Sequence, residues 1–504
     1  IKEPFNQIVK KLMYSKYEEL IKYVKQTEAL SHASGLIAWD QETKMPKGSV
    51  EQRADTLSVL ESEIHKRKSN KYIEELLSHI KKDDLSKIEK SNLDHIKKSF
   101  NRASKIPNDL ATKISKICSL SQMSWVEANQ TKELKTFLNY FKEVINLKRE
   151  EAQLLSSSNN IYDALIDDFE PEMNTEKFDK IFANLRKNLI EIRNSIFENK
   201  KPVNELSFNF DKNSQLELAK ELANIFGYDF NIGRMDLSQH PFSTGNGNDV
   251  RITTRVDEKD PFNCFYSTIH ETGHAVYEQK IPKEFIFTPN GNGVSMGVHE
   301  SQSRIFENQF GRSKEFCSFL FKLMYDKFGN FGINDENNFY IFINNVENSF
   351  IRTEADEVNY NLHILMRYDL EKELFSGNLK VDDLEEAWNA RFKNDFGLTV
   401  STPTEGFLQD VHWSAGLFGY FPTYTLGNIY AGCLYEKIIS ENKDIMLEVE
   451  KGRLNEIITW LTKNIYNYGS SEKPDKIISQ AINKEVSDLP LINYLKNKFD
   501  NIYN

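Results

Sequence analysis

Apolar residues recur along this chain at intervals of three and four. Phe5, Ile8, Val9, Leu12 and Met13 begin the pattern. Tyr72, Ile73, Leu76, Leu77 and Ile80 continue it, and Phe137, Phe141, Val144 and Ile145 repeat it. A period near 3.6 residues gives each such segment one buried helical face. Strict alternation, the mark of a half-buried strand, is scarce. Its best instance is DVRITTR at 249–255, which follows a stretch rich in Gly and Asn at 243–248. The pattern predicts a mainly α protein with a small β element near residues 249–255. Loops are expected at 156–160, 239–248, 286–293 and 469–474. None has the composition of a flexible linker, and no internal repeat stands out. Residues 1–504 therefore read as a single helical domain, two-lobed around a central groove at most.

Composition narrows the function classes. Hydrophobic residues make up 39% of the 504, enough for a sizeable core, and charged residues 28%. The net charge of −11 carries no basic patch, so no nucleic acid partner is expected. A mean hydropathy of −0.56 and the lack of a long apolar run predict no membrane span. The first residues hold no apolar signal core. Cys118, Cys264, Cys317 and Cys433 are widely spaced and form no CxxC pair, so four buried free thiols are expected. Together these features predict a cytoplasmic protein.

The chemistry concentrates in the segment 260–280, DPFNCFYSTIHETGHAVYEQK. Asp260 suits a helix N-cap and Pro261 the first helical position. Two histidines four residues apart, His270 and His274, share one helix face and can hold one divalent cation. Glu271, beside the first ligand, can take a proton from water activated there. A catalytic zinc usually takes three protein ligands and keeps one position open. The segment 297–308, GVHESQSRIFEN, offers two candidates, Glu300 and His299. The turn PNGNG at 289–293 gives the chain room to reverse and lay a second helix on the first. Adjacent helical residues point about 100° apart, so one of the two ligates and the other does not.

Further motifs carry a family resemblance. They are HPF at 240–242, DVRIT at 249–253, HETGH at 270–274, HESQ at 299–302, IRTEAD at 351–356 and GFLQDVHW at 406–413. The segments AWDQETKMPKGSVEQRAD at 38–55 and FGYFPTYTLGNIYA at 418–431 add to them. In this order they resemble the carboxypeptidase Taq family of metallocarboxypeptidases over nearly the whole chain. The resemblance implies an almost entirely helical fold with a deep groove and Glu300 as third metal ligand. It implies a Zn2+ cofactor that Co2+ can replace, and a homodimer. The implied activity is removal of single residues from peptide substrates with a free C-terminus, with broad specificity.

That activity needs a group for the terminal carboxylate. Arg352 of IRTEAD is the first choice, because a guanidinium pairs bidentately with a carboxylate. The spacing places it early in a helix running to Gly377, where the competing role is an i,i+4 ion pair with Asp356. Arg251, beside Asp249, and His240 are further substrate-binding candidates; a structural ion pair and a buried corner are their plain alternatives. The tetrahedral oxyanion needs a donor, and His412, Tyr420 and Tyr424 are the candidates. Asp410 is placed to hold the His412 tautomer. A helical oligopeptidase cutting internally, and a non-catalytic peptide-binding scaffold, are the rival functions.

Overall fold

A computed structural model describes residues 2–200, 206 and 208–503, with side chains from Tyr14 onward. The chain is mainly helical, as the apolar spacing predicts. The first apolar stripe falls in the helix Lys2–Thr43, but its side chains, Phe5 to Met13, lie outside the described residues. In the helix Lys71–Ser78, Ile73 and Leu76 are buried. In the helix Lys135–Leu155, Phe137, Phe141, Val144 and Ile145 all point into the core.

The predicted strand is the centre of a three-stranded sheet. Strands β1 (Gly233–Leu237), β2 (Ser243–Asn246) and β3 (Asp249–Thr254) lie in the order β1-β3-β2. The strand β3 runs parallel to β1 and antiparallel to β2, with Arg234 paired to Arg251. The loop expected at 239–248 thus contains a strand. STGN has neither β-branched alternation nor length, and only pairing with β3 makes it extended. Val250 and Ile252 are fully buried, which places the sheet against the core.

Four helices position the site. They are α1 (Pro261–Lys280), α2 (Met296–Arg304), α3 (Glu357–Ser376) and α4 (Phe421–Glu441). Asp260 caps α1 by accepting from the Phe262 N–H, and Pro261 takes the first position, as the sequence predicts. Apolar side chains surround α1 on most of its circumference, the mark of a helix at the centre of a large protein. Buried apolar residues form a large cluster around these helices and a smaller one in the N-terminal helices, built on Tyr17, Leu20, Ile73, Leu93 and Ile96. Cys264, Cys317 and Cys433 are buried free thiols; Cys118, expected to be buried, is half-exposed. Among the described residues no helix is long and apolar enough to cross a membrane.

Candidate metal centre and substrate cluster

Two close helix contacts build the centre. Gly273 lies between His270 and His274 on α1, where a Cβ would stand 2.4 Å from the Gln302 carbonyl oxygen and 2.5 Å from Ser303 Cα. Gly427 on α4 has the matching role, since a Cβ there would meet Glu300 Cβ and Cγ at 2.7 Å. Only glycine lets α1 and α4 approach α2 this closely. The start of α2 is fixed by Ser295 and by the buried Glu170, whose carboxyl accepts from the Gly297 N–H (2.8 Å) and the Ser295 hydroxyl (3.0 Å).

This packing brings His270, His274 and Glu300 together, with their ligand atoms within 4.8 Å of one another. Glu300 Oε2 lies 3.4 Å from His274 Nε2 and 3.8 Å from His270 Nε2. The far ring nitrogens are held from behind. His270 Nδ1 lies 2.8 Å from Glu307 Oε2. His274 Nδ1 lies 2.6 Å from His299 Nδ1, whose Nε2 lies 2.9 Å from Glu278 Oε1. His299 therefore stands behind His274 and outside the ligand set. Glu300 Oε1 accepts from Arg304 Nε at 2.6 Å.

Two imidazoles and one carboxylate suit a borderline divalent ion such as zinc. The ionisation of the donors fits as well. Burial lowers the His274 pKa to about 3, leaving the neutral ring that ligates. Burial would raise the pKa of Glu300, but Arg304 and His270 outweigh it and hold the carboxyl well below the usual range. Burial would lower the pKa of His270, but Glu300 and Glu307 outweigh it and raise it. A cation at this point would replace that proton. Glu271 is 8% exposed, and burial pushes its carboxyl up to about 7.

The substrate candidates divide. Arg352 does not begin a helix. It lies in a short turn, Arg352–Glu354, and α3 starts after Asp356, which caps it by accepting from the Val358 and Asn359 N–H groups. The Arg352–Asp356 ion pair is thereby excluded. Arg352 pairs instead with Asp410, through Nη2 (2.7 Å) and Nε (3.1 Å) to Oδ1, and Nη1 donates to the Tyr360 hydroxyl at 3.2 Å. Asp410 also holds Arg367, and so does not orient His412 as the sequence suggests. His412 Nδ1 is 3.8 Å from Asp410 Oδ1 and has no hydrogen-bond partner among the described residues.

His412, Tyr420 and Tyr424 do cluster. The His412 ring lies 5.7 Å from that of Tyr420, and its Nε2 lies 3.4 Å from the Tyr424 hydroxyl. Burial lowers the His412 pKa to about 4 and raises that of Tyr420 to about 12, so both are neutral donors near pH 7. Two candidates have other surroundings. Arg251 pairs with Asp249 at 2.8 Å and stacks on Trp39 at 4.3 Å, tying the N-terminal helix to the sheet. His240 is exposed on the turn before β2.

Four participants were not singled out from the sequence. Arg304 and Glu307 follow Glu300 by four and seven residues, a helical spacing that could have suggested them. A π-helical segment, Ile305–Phe310, continues α2 and carries Glu307 to His270. Tyr360 stacks under Arg304 at 4.2 Å while its hydroxyl accepts from Arg352, so it joins the candidate ligands to the arginine cluster. Arg367 reaches Asp410 from α3 with Nε at 2.7 Å from Oδ2, and no local spacing signals it.

Comparison with known proteins shows the family. The family model for carboxypeptidase Taq (M32) metallopeptidases matches residues 19–499. Carboxypeptidase 1 of Bacillus subtilis is 36% identical, covering 96% of this chain and 98% of the relative. Thermostable carboxypeptidase 1 of Thermus thermophilus is also 36% identical, covering 97% and 99%. The crystal structure of an M32 carboxypeptidase from Deinococcus radiodurans superposes with a TM-score of 0.94 at 33% identity, covering 97% of this chain and 99% of that one. With its helical fold and this donor set, the chain belongs to the carboxypeptidase Taq (M32) family of metallopeptidases.

Proposed function

We propose that this metallocarboxypeptidase removes single residues of many kinds from peptide C-termini, with His270, His274 and Glu300 as ligands of a zinc ion and Glu271 as general base. One observation carries this reading. Through Tyr360, the three-ligand cluster adjoins a buried arginine pair suited to a carboxylate. Bound by these three residues, a zinc ion, or Co2+ in its place, would supply polarisation of the scissile carbonyl and acidification of water. Arg304 keeps Glu300 turned to the ligand cluster, while Glu307 and His299 fix the two imidazoles. Glu271 takes the proton of the attacking water and delivers it to the leaving amine. Its burial suits both roles, because a carboxyl near pH 7 can accept and return a proton. His412, Tyr420 or Tyr424 donates to the oxyanion. Arg352 holds the terminal carboxylate and so admits only the last peptide bond. We also assign it a cytoplasmic location and a homodimeric state.

A peptide ladder read by mass spectrometry tests the reading. Stepwise loss of C-terminal residues is expected, together with resistance of the C-terminally amidated peptide. Internal fragments, or equal cleavage of the amide, would instead support the oligopeptidase. A Glu271→Gln variant that keeps its metal and full activity would remove the general base from the scheme.

A further inference from the structure

We propose that Arg367 determines specificity from behind: by holding the far side of Asp410, it leaves Arg352 with an unmatched positive charge for the terminal carboxylate of the substrate. This rests on the reading that Arg352 holds that carboxylate. The two arginines reach one aspartate from different elements. Arg352 comes from the turn before α3 and takes Oδ1 with Nη2 at 2.7 Å. Arg367 comes from within α3 and donates to Oδ2 from Nε at 2.7 Å, while its Nη2 lies 2.6 Å from the same oxygen as an ion-pair contact without hydrogen-bond geometry. Side-chain exposures are 7% for Arg352, 1% for Arg367 and 8% for Asp410.

Two guanidinium groups against one carboxylate leave a formal charge of plus one in a buried place. Among the described residues no further carboxylate forms an ion pair with either arginine. Burial holds both His412 and His363 neutral near pH 7. Glu371, one turn beyond Arg367, is turned to the Trp413 indole N–H (2.7 Å), the Gly419 N–H (2.8 Å) and the Tyr162 hydroxyl (2.5 Å). An arginine and an aspartate alone would be a neutral pair with little pull on an anion. A second arginine restores a net charge, and the low dielectric of the site magnifies its effect.

Arg367 cannot itself touch a peptide. It is fully buried, its Nη1 donates to the His363 carbonyl at 2.8 Å, and its guanidinium stacks on Trp388 at 4.6 Å. Arg352 keeps capacity for a ligand. Of its five N–H groups, the described contacts engage Nε, one N–H of Nη2 and one of Nη1. Arg367 is therefore a positioning residue that acts through Asp410.

The test uses the metal-loaded enzyme with one peptide as free acid and as C-terminal amide. Arg367→Met is expected to raise KM for the free acid about tenfold or more, with kcat changed far less, and to shrink the preference for acid over amide. Asp410→Asn in the Arg367→Met background returns the cluster to plus one, now carried by Arg352 alone. It is expected to restore most of the preference. A folded Arg367→Met with unchanged preference would overturn the inference, as would a double variant no better than the single. Should the single variant fail to fold, the double variant decides alone: a retained preference supports the charge argument and a lost one overturns it. Arg352→Met separates the two levels. If it abolishes the preference where Arg367→Met does not, only the role of Arg367 falls. If it too leaves the preference intact, the reading of Arg352 itself falls.

Discussion

Gly273→Ala is the sharpest probe of how the fold holds the proposed metal ligands. The added Cβ would stand 2.4 Å from the Gln302 carbonyl oxygen, which is backbone and cannot rotate away. Real Cβ contacts essentially never fall below 3.0 Å, so α1 and α2 must separate by about 0.6 Å or more. That displacement falls between the two histidines on one helix and Glu300 on the other. Metal–ligand distances tolerate about 0.2 Å, so a shift three times larger cannot keep all three ligands on one ion. Overpacking costs about 1–3 kcal/mol, partly offset by about 1 kcal/mol from replacing a helical glycine. Stability is therefore expected to fall by at most about 2 kcal/mol while metal affinity falls tenfold or more. Competition against a chelating indicator gives the affinity and thermal unfolding of the apo-protein gives the stability. A Gly273→Ala protein binding metal as tightly as the parent would refute the claim that close helix approach positions the ligands.

Further outcomes follow from the same structure. Gly35→Ala, in the interior of the helix Lys2–Thr43, meets only Thr244 Oγ1 at 3.9 Å and should raise apo-protein stability by up to about 1 kcal/mol in denaturant titration. Arg304→Met leaves the buried Glu300 without its ion-pair partner and should destabilise the apo-protein by about 3–5 kcal/mol, with part of the loss recovered on adding metal. Glu307 is held at about 2: burial opposes the shift, but the hydrogen bond from His270 and the charge of Arg304 outweigh it. The unfolded chain titrates near 4.5, so between these values it binds more protons than the folded one. The apo-protein should thus lose about 3 kcal/mol as pH falls from 4.5 to 2, and Glu307→Gln should flatten that limb of the unfolding profile. Chelation should abolish turnover and lower the melting temperature, and metal in hundredfold excess over its dissociation constant should return about 2.7 kcal/mol.

The helical class and the capped HETGH helix with its two histidines were legible because each depends on local spacing. His270 and His274 share a face by periodicity alone. The choice of Glu300 over His299 was not local. It depends on which side of α2 meets α1, and that is set by Gly273 and Gly427 together. Arg352 was legible as a residue type and not in its surroundings: the periodicity ran a helix through it, whereas Asp356 caps α3 and leaves Arg352 in a turn. Asp410 and Arg367 meet across 43 residues, and a buried charge cluster of that kind leaves no periodic trace. The short strands β1 and β2 were missed for a similar reason, since their extended form comes from pairing with β3.

The N-terminal helices have their own small apolar cluster, and several of their contacts to the rest are polar. His95 and Ser91 reach the Ser470 carbonyl, Asn92 accepts from the Asn290 N–H, and Trp39 lies against Arg234 and Arg251. Polar contacts couple two cores less strongly than shared apolar packing does. Unfolding of this chain is then expected to proceed in steps, with the N-terminal helices opening before the body that carries the proposed metal ligands. One midpoint would not describe such a molecule, and each stability change above belongs to the step that reports on its own core.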